Sequence, residues 1–334
     1  MKLKTPDFWY RKNETVPAIE KILTPFSLLY RIGYELHQRS ATPQKADIPV
    51  VCIGNINAGG TGKTPTALAL METLRETGVA KNPFFLLRGY GGGERGPLRV
   101  DPARHDSWAT GDEALILAAF APTIIAADRA QGVQLALKQN ADLVLMDDGL
   151  QNPGIHKDIK IVVINGEMGF GNGKMIPAGP LREPLEKGMT RADIFILIGD
   201  DKRNTAAILP KDKPLIRAKL EPGNAIAFDK TKKYLAFAGL GYPKKFFNFL
   251  SEKIGLNIVK TISFSDHHPY TEQDLKTLHD LATKWEAELV TTHKDFLRLP
   301  KIPGVTVHTA EVKLIWESPS ELSAFLTSRL KHAP

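Results

Sequence analysis

The chain is nearly without cysteine and has no long hydrophobic run. Cys52 is the only cysteine among 334 residues, which excludes an internal disulfide and a cysteine-built zinc site. Its place in the apolar run Val50-Val51-Cys52-Ile53 points to a buried packing role rather than a catalytic one. The charge-free apolar stretches are short. Ile22 to Tyr30 lies between Lys21 and Arg31, and Ala114 to Ala127 is broken by Pro122. Both fall short of the ~20 residues a spanning helix needs, and neither has the form of a secretory signal. The expectation is a cytoplasmic chain that does not span a bilayer. There is no internal repeat and no low-complexity tract. The balance of 43% hydrophobic and 24% charged residues is that of an ordinary globular protein, and the length allows two domains. A net charge of +7 favours an anionic partner, whether nucleotide, nucleic acid or membrane surface. No helix-turn-helix, RRM or zinc pattern supports nucleic acid.

What is present centres on one stretch. Val50 to Ile53 reads as a buried strand, a glycine-rich loop follows, and Lys63-Thr64 opens a helix of good formers from Ala67 to Leu74. Strand, glycine loop, Lys-Thr and helix form the phosphate-cradling arrangement of a P-loop. Asn57, Ala58, Gly59, Gly60, Thr61, Gly62, Lys63 and Thr64 are the nucleotide-binding candidates. Backbone N–H groups and the helix N-terminus face phosphate oxygens, Lys63 reaches the β- and γ-phosphates, and the Thr64 hydroxyl ligates Mg²⁺. The strict motif has glycine where Asn57 stands. Asn tolerates positive φ better than most residues, so the turn is expected to survive.

The rest of the pattern alternates strand and helix. Phe84 to Leu87 is a strand that ends in Arg88-Gly89-Tyr90-Gly91-Gly92-Gly93, either a phosphate or sugar site or a plain loop. Asp112 and Glu113 open a helix, where acidic residues also suit the dipole. Leu143 to Met146 leads into Asp147-Asp148, the form of a Walker B element, although paired aspartates also cap turns. Further strands are expected over Thr123 to Ala127, Ile159 to Ile164 and Asp193 to Ile198. Arg182-Glu183, flanked by Pro180 and Pro184, is either a phosphate clamp with a metal-shell carboxylate or a surface pair. Leu215 to Leu220 reads as a lone strand in a linker, and a second α/β stretch starts at Tyr234. Asp266-His267-His268 follows a strand, and such a pair serves acid–base chemistry or a structural role. Residues 1–45 hold eight Lys and Arg against four Asp and Glu, with Trp9, Tyr10 and Tyr34. Thr24-Pro25 is expected to start a helix there, one that either lies at a lipid interface or packs on the protein's own core.

Together these pieces resemble the tetraacyldisaccharide 4′-kinases of lipid A synthesis. The resemblance covers nearly the whole chain. It rests on Gly54-Asn55, Gly59 to Pro65, Arg88 to Gly92, Gly111 to Ala114, Asp147 to Gln151, Gly179 to Pro184 and Asp266 to His268. Leu150 replaces the family's aromatic residue, and Thr292-His293-Lys294-Asp295 departs from its Thr-Glu-Lys-Asp. The resemblance implies an α/β fold: a P-loop NTPase-like sheet flanked by helices, a second smaller α/β domain and an N-terminal amphipathic helix. The expected division is a basic membrane-associating segment at 1–45, a kinase domain at 46–212, a linker at 213–233, a smaller domain at 234–316 and a C-terminal helix at 317–334 that packs back on the kinase domain. ATP and Mg²⁺ are the implied substrate and metal. The acceptor is an acylated glucosamine disaccharide 1-phosphate, phosphorylated at its 4′-hydroxyl to give lipid IVA. By the same resemblance Asp112 is the base and His267 its partner, with Lys63 and Arg182 stabilising charge. Thr64, Asp147, Asp148 and Glu183 shape the metal site, and Arg88, Tyr90, Gly91, Glu113 and Gln151 hold the acceptor. The implied location is the cytoplasmic face of the bacterial inner membrane, on anionic lipid, with no nucleic acid and no obligate protein partner. A P-loop switch NTPase, a kinase of another membrane-associated sugar acceptor, and a binding protein with a vestigial P-loop are the other readings. The guanine-specifying Asn-Lys-x-Asp of a switch GTPase is absent from the sequence.

Overall fold

The computed structural model describes residues 6–10, 18–223, 228–240, 243–265 and 268–330. The described residues divide into two units: the smaller is Leu220–Lys313, and the larger takes in those up to Lys219 and from Leu314 onward.

In the larger unit, the strands are β1 (Val50–Gly54), β2 (Pro83–Leu87), β3 (Leu98–Arg99), β4 (Thr123–Ile125), β5 (Leu143–Asp147), β6 (Ile159–Asn165), β7 (Ile194–Ile198) and β8 (Leu215–Pro222). Its helices are α1 (Ala18–Arg39), α2 (Lys63–Glu76), α3 (Ser107–Thr110), α4 (Asp112–Ala118), α5 (Arg129–Lys138) and α6 (Leu185–Arg191). The smaller unit contains β9 (Lys233–Ala238), α7 (Pro243–Asn248), β10 (Asn257–Ser263), α8 (Glu272–Lys284), β11 (Ala287–Thr292), α9 (His293–Phe296) and β12 (Val307–Ala310). β13 (Val312–Trp316) and α10 (Pro319–Leu330) close the chain.

The large sheet runs β13-β8-β7-β6-β1-β5-β2-β4-β3. From β4 across to β8 every pairing is parallel, and β3 turns antiparallel at the edge. Parallel strands are covered on both faces, so they read as unbroken apolar runs. Accordingly β1, β2, β5 and β7 are buried at every residue. Cys52 is among them, with its thiol pushed up to about 12 by burial. Leu215 to Leu220, read from the sequence as a strand within a linker, is part of this sheet and pairs with β7. Register is what positions the site. Ile53 lies beside Asp147 across β1 and β5, and Asp148 N–H donates to Ile53 O at 2.9 Å. The glycine loop after β1 and the aspartates after β5 therefore emerge side by side, at the strand ends where α/β sheets bind ligands.

The C-terminal helix belongs to the larger unit. α10 buries Leu322, Leu326 and Leu330 and packs on α2, while Trp316 Nε1 donates to Thr73 Oγ1 at 3.1 Å. The N-terminal helix departs from the sequence expectation. α1 is already helical from Ala18, and Pro25 lies inside it rather than at its start. A proline there removes one helical hydrogen bond. Contacts on either side hold the helix through it: Glu20 pairs with Lys174 at 2.9 Å, and Ser27 Oγ donates to Met175 O at 2.8 Å.

The smaller unit has its own all-parallel sheet, ordered β10-β9-β11-β12. Alternate side chains of β9 face opposite cores. Tyr234, Ala236 and Ala238 pack with Phe246, Leu250 and Val290, and Leu235 and Phe237 pack with Leu275, Leu278 and Leu289. After α7 the chain continues as a π-helical turn, Phe249–Ile254. A capping box of Thr271 and Asp274 starts α8.

Candidate active site

The loop after β1 owes its shape to a second segment. Ala58 N–H donates to Pro180 O at 2.7 Å, and Arg182 N–H donates to Ile56 O at 2.8 Å. Asn57 forms an antiparallel bridge with Leu181. The Pro180–Arg182 stretch is thus zipped against the first half of the glycine loop. Asn57 holds this arrangement with its side chain, not with an unusual backbone. It is buried and donates through Nδ2 to Gly169 O at 2.9 Å. The positive φ angles fall on Gly59 and Gly62 instead, which corrects the expectation for Asn57. At Gly62 the backbone turns left-handed, φ 97°, directly before Lys63 and Thr64 start α2.

That zipper brings four side chains together. Lys63 Nζ donates to Asn55 Oδ1 at 3.3 Å and lies 3.9 Å from Asp148 Oδ2. Arg182 donates to Asp148 Oδ1 at 2.6 Å and to Asn55 Oδ1 at 3.3 Å. Burial alone would raise the Asp148 carboxyl, but the Lys63 and Arg182 charges hold it below the usual range. Asp148 adopts φ 56°, a left-handed backbone that points to strain kept at a functional position.

Asp147, one residue earlier, is the opposite case. It is buried, and neither carboxylate oxygen has a hydrogen-bond partner. Its carboxyl is pushed up to about 7, first by burial and then by the Glu113 charge, with Lys63 opposing. Thr61 Oγ1 in the glycine loop is also buried and without a partner. A buried carboxylate without a hydrogen-bond partner, followed in sequence by a second carboxylate, is an oxygen donor pair of the kind that suits Mg²⁺. Among the described residues no cluster of three His, Cys, Asp or Glu forms a self-sufficient metal site.

Glu183, expected beside the metal, is fully buried with its oxygens already engaged. Gln151 Nε2 donates to Oε1 at 2.6 Å, Arg191 pairs with the same oxygen, and Tyr34 Oη donates to Oε2 at 3.1 Å. Gln151 Nε2 also donates to Asn55 O at 3.0 Å, which ties this network to the glycine loop.

The second glycine run makes a close backbone approach. A Cβ on Gly111 would meet Tyr90 O at 2.5 Å, and one on Gly92 would meet Ala109 O at 2.5 Å. Gly93 N–H donates to Trp108 O at 2.7 Å. Arg88, Tyr90 and Gly91 are thereby held against the turn that presents Asp112 and Glu113 at the start of α4, with Asp112 buried and Tyr90 71% exposed. His267 lies outside the described residues. Its neighbour His268 is held by Asp274 Oδ2 at 3.2 Å and sits against the Phe264 and Tyr270 rings.

A family profile for LpxK, described as tetraacyldisaccharide-1-P 4′-kinase, matches residues 19–331. The chain belongs to this family. It is 43% identical over 330 residues to the tetraacyldisaccharide 4′-kinase of Rhodospirillum centenum, covering 98% of this chain and 97% of that protein. It is 44% identical over 334 residues to that of Methylobacterium nodulans, covering 98% and 96%. Among solved structures it is similar to LpxK from Aquifex aeolicus, crystallised as an "apo" form in complex with ATP. The TM-score is 0.74 at 25% identity, over 93% of this chain and 99% of that one.

In this LpxK-family chain two residues beside the site had no role assigned from the sequence. Asn55 is 1% exposed and its Oδ1 receives both Lys63 and Arg182. Its sequence signals are its place directly after β1 and its membership of the Gly54-Asn55 match. Arg129 is buried at the first turn of α5, with Nε unpartnered and its guanidinium lowered to about 10 by burial and by Arg88. Its signal is its place just beyond the end of β4, where site residues of α/β sheets gather.

Proposed function

We propose that this chain transfers the γ-phosphate of ATP to the 4′-hydroxyl of a tetraacylated glucosamine disaccharide 1-phosphate, giving lipid IVA. The observation that carries the reading is Asp147, a buried carboxylate without partners, set beside Lys63 and the Arg182–Asp148 pair. Phosphoryl transfer needs in-line positioning and charge neutralisation more than covalent help from the protein. The glycine-loop amides and Lys63 hold the β- and γ-phosphates. Thr64, Asp147 and Asp148 would hold Mg²⁺, which would neutralise phosphate charge. Arg182 stabilises charge on the transferring group, and its pairing with Asp148 keeps it beside the loop before nucleotide arrives. Asp112 accepts the acceptor hydroxyl's proton, and His267 is its expected partner. Arg88 and Arg129 supply cationic charge towards the acceptor, with Tyr90, Gly91, Glu113 and Gln151 along its sugar. Glu183 serves this site by holding Gln151 in place.

The acyl chains of such an acceptor require a surface. α1 exposes Ile19, Ile22, Phe26, Leu29 and Leu36 at helical spacing, beside exposed Lys21, Arg31 and Arg39. Of the two sequence readings this favours the interfacial one, with α1 lying in the headgroup layer of an anionic bilayer. No helix among the described residues is long and apolar enough to cross a membrane. The location that fits is peripheral, on the cytoplasmic face where ATP is available.

The test is transfer of label from γ-labelled ATP to tetraacyldisaccharide 1-phosphate in mixed micelles with Mg²⁺, for wild type and Lys63→Ala. Labelled lipid from wild type alone is expected. No labelled lipid despite tight ATP binding would move the assignment to another acceptor.

A further inference from the structure

α1 reverses the usual amphipathic arrangement, with its large apolar residues outward and polar side chains inward. Among the described residues these inward groups reach two destinations. Glu20 pairs with Lys174, and Ser27 Oγ donates to Met175 O at 2.8 Å and accepts from Ala178 N–H at 3.1 Å. Glu35 pairs with Lys187, and Tyr34 Oη donates to Glu183 Oε2 at 3.1 Å. Gln38 Nε2 donates to Gln151 O at 2.7 Å. Tyr30, one turn before Tyr34, lies within the field of Arg182 and Glu183. One destination is the segment 174–187, which delivers Arg182 to Asp148. The other is the turn that follows Asp147-Asp148.

We infer that α1 sets the working geometry of these two loops, with Tyr34 and Gln38 as positioning residues for the transfer. The inference rests on the kinase reading above. Apolar contact is non-directional and would let a helix slide. A row of hydrogen bonds fixes its register on the loops instead. Glu183 is the hinge of the arrangement, because Tyr34 from α1 and Gln151 from the other loop donate to its two oxygens. A displacement of the order of 1 Å in such a loop costs heavily in transfer rate. The same helix that meets the lipid surface therefore also aligns the groups that act on the lipid.

The experiment uses the full chain with Tyr34→Phe, which removes one hydroxyl, and Gln38→Met, which keeps length but removes the donor. Three quantities are measured: steady-state transfer to tetraacyldisaccharide 1-phosphate, melting temperature, and partition onto phosphatidylglycerol-containing vesicles. Tyr34→Phe is expected to lower kcat about tenfold with little change in acceptor KM, the scale of one hydrogen bond to a charged group. Gln38→Met is expected to raise acceptor KM about fivefold, because it loosens the turn that carries Gln151. Vesicle partition stays at the wild-type level in both. Unchanged kcat and KM in both variants overturns the inference. So does a loss that merely follows reduced vesicle partition or a lowered melting temperature, which would make α1 an anchor or a fold element only. Failure of the kinase reading is distinct, because the wild type itself would then give no labelled lipid.

Discussion

Two buried carboxylates, at the end of β5 and in the turn after Pro180, are treated in opposite ways. Glu183 is fully buried and satisfied by Tyr34, Gln151 and Arg191. Asp147 is buried to nearly the same degree and has no hydrogen-bond partner on either oxygen. Burying an uncompensated charge is costly, so a fold keeps such a group only where something else completes it. On the function proposed above, Glu183 acts as scaffold and Asp147 is the carboxylate open to a ligand. Composition and burial do not distinguish the two; partners do.

The largest expected effect breaks the ligand side. Lys63→Ala should lower transfer about 10³–10⁵-fold, the scale of one charged group on a transferring phosphoryl, while near- and far-UV circular dichroism stays native. Breaking the scaffold side should act on stability instead. Glu183→Ala leaves Arg191 without its carboxylate and should cost about 3–5 kcal/mol in denaturant unfolding. Asp147→Asn sharpens the contrast by reversing the sign. It should stabilise the metal-free protein by about 1–3 kcal/mol above neutral pH. The pH dependence follows from the raised carboxyl, about 7 when folded. Below the unfolded carboxylate range both folded and unfolded states are protonated, and the wild type loses nothing. Between that range and 7 the unfolded state ionises while the buried carboxyl stays protonated, so wild-type stability falls relative to Asp147→Asn and levels off once pH passes the folded value. A gap between the two that does not change from pH 4 to 8 would contradict the assignment. The smallest effect concerns the outer face of α1. Phe26→Glu with Leu29→Glu should reduce partition onto anionic vesicles about tenfold or more. The melting temperature should hardly move, since both side chains are exposed.

Much of the larger unit was legible in the sequence because its strands are buried on both faces. Val50 to Ile53, Leu143 to Asp147 and Asp193 to Ile198 are apolar runs that only a covered parallel sheet explains. Leu215 to Leu220 misled because alternate residues are exposed towards the sheet's edge, which makes an integral strand resemble a linker. Thr24-Pro25 misled because local cap chemistry was outweighed by contacts at Glu20 and Ser27, whose partners lie roughly 150 residues away in sequence. In the site, the motif residues Lys63, Asp148 and Arg182 do meet. Asn55 was not separable from its neighbours, because its role depends on two cations arriving from different segments. The division of labour between Asp147 and Glu183 was hidden for the same reason. A carboxylate's partners are set by register and loop pairing, which residue type does not reveal.

The measurement that tests this account most directly is the Mg²⁺-dependent gain in melting temperature with a non-hydrolysable ATP analogue. Wild type, Asp147→Asn and Glu183→Gln are compared, each against nucleotide without metal. At a hundredfold excess over Kd a bound ligand stabilises by about 2.7 kcal/mol. Wild type and Glu183→Gln should both show the metal-dependent gain, Glu183→Gln from a lower starting point. Asp147→Asn should start higher and gain little. A full Mg²⁺-dependent gain in Asp147→Asn would contradict the claim that this carboxylate is kept unpaired for the metal.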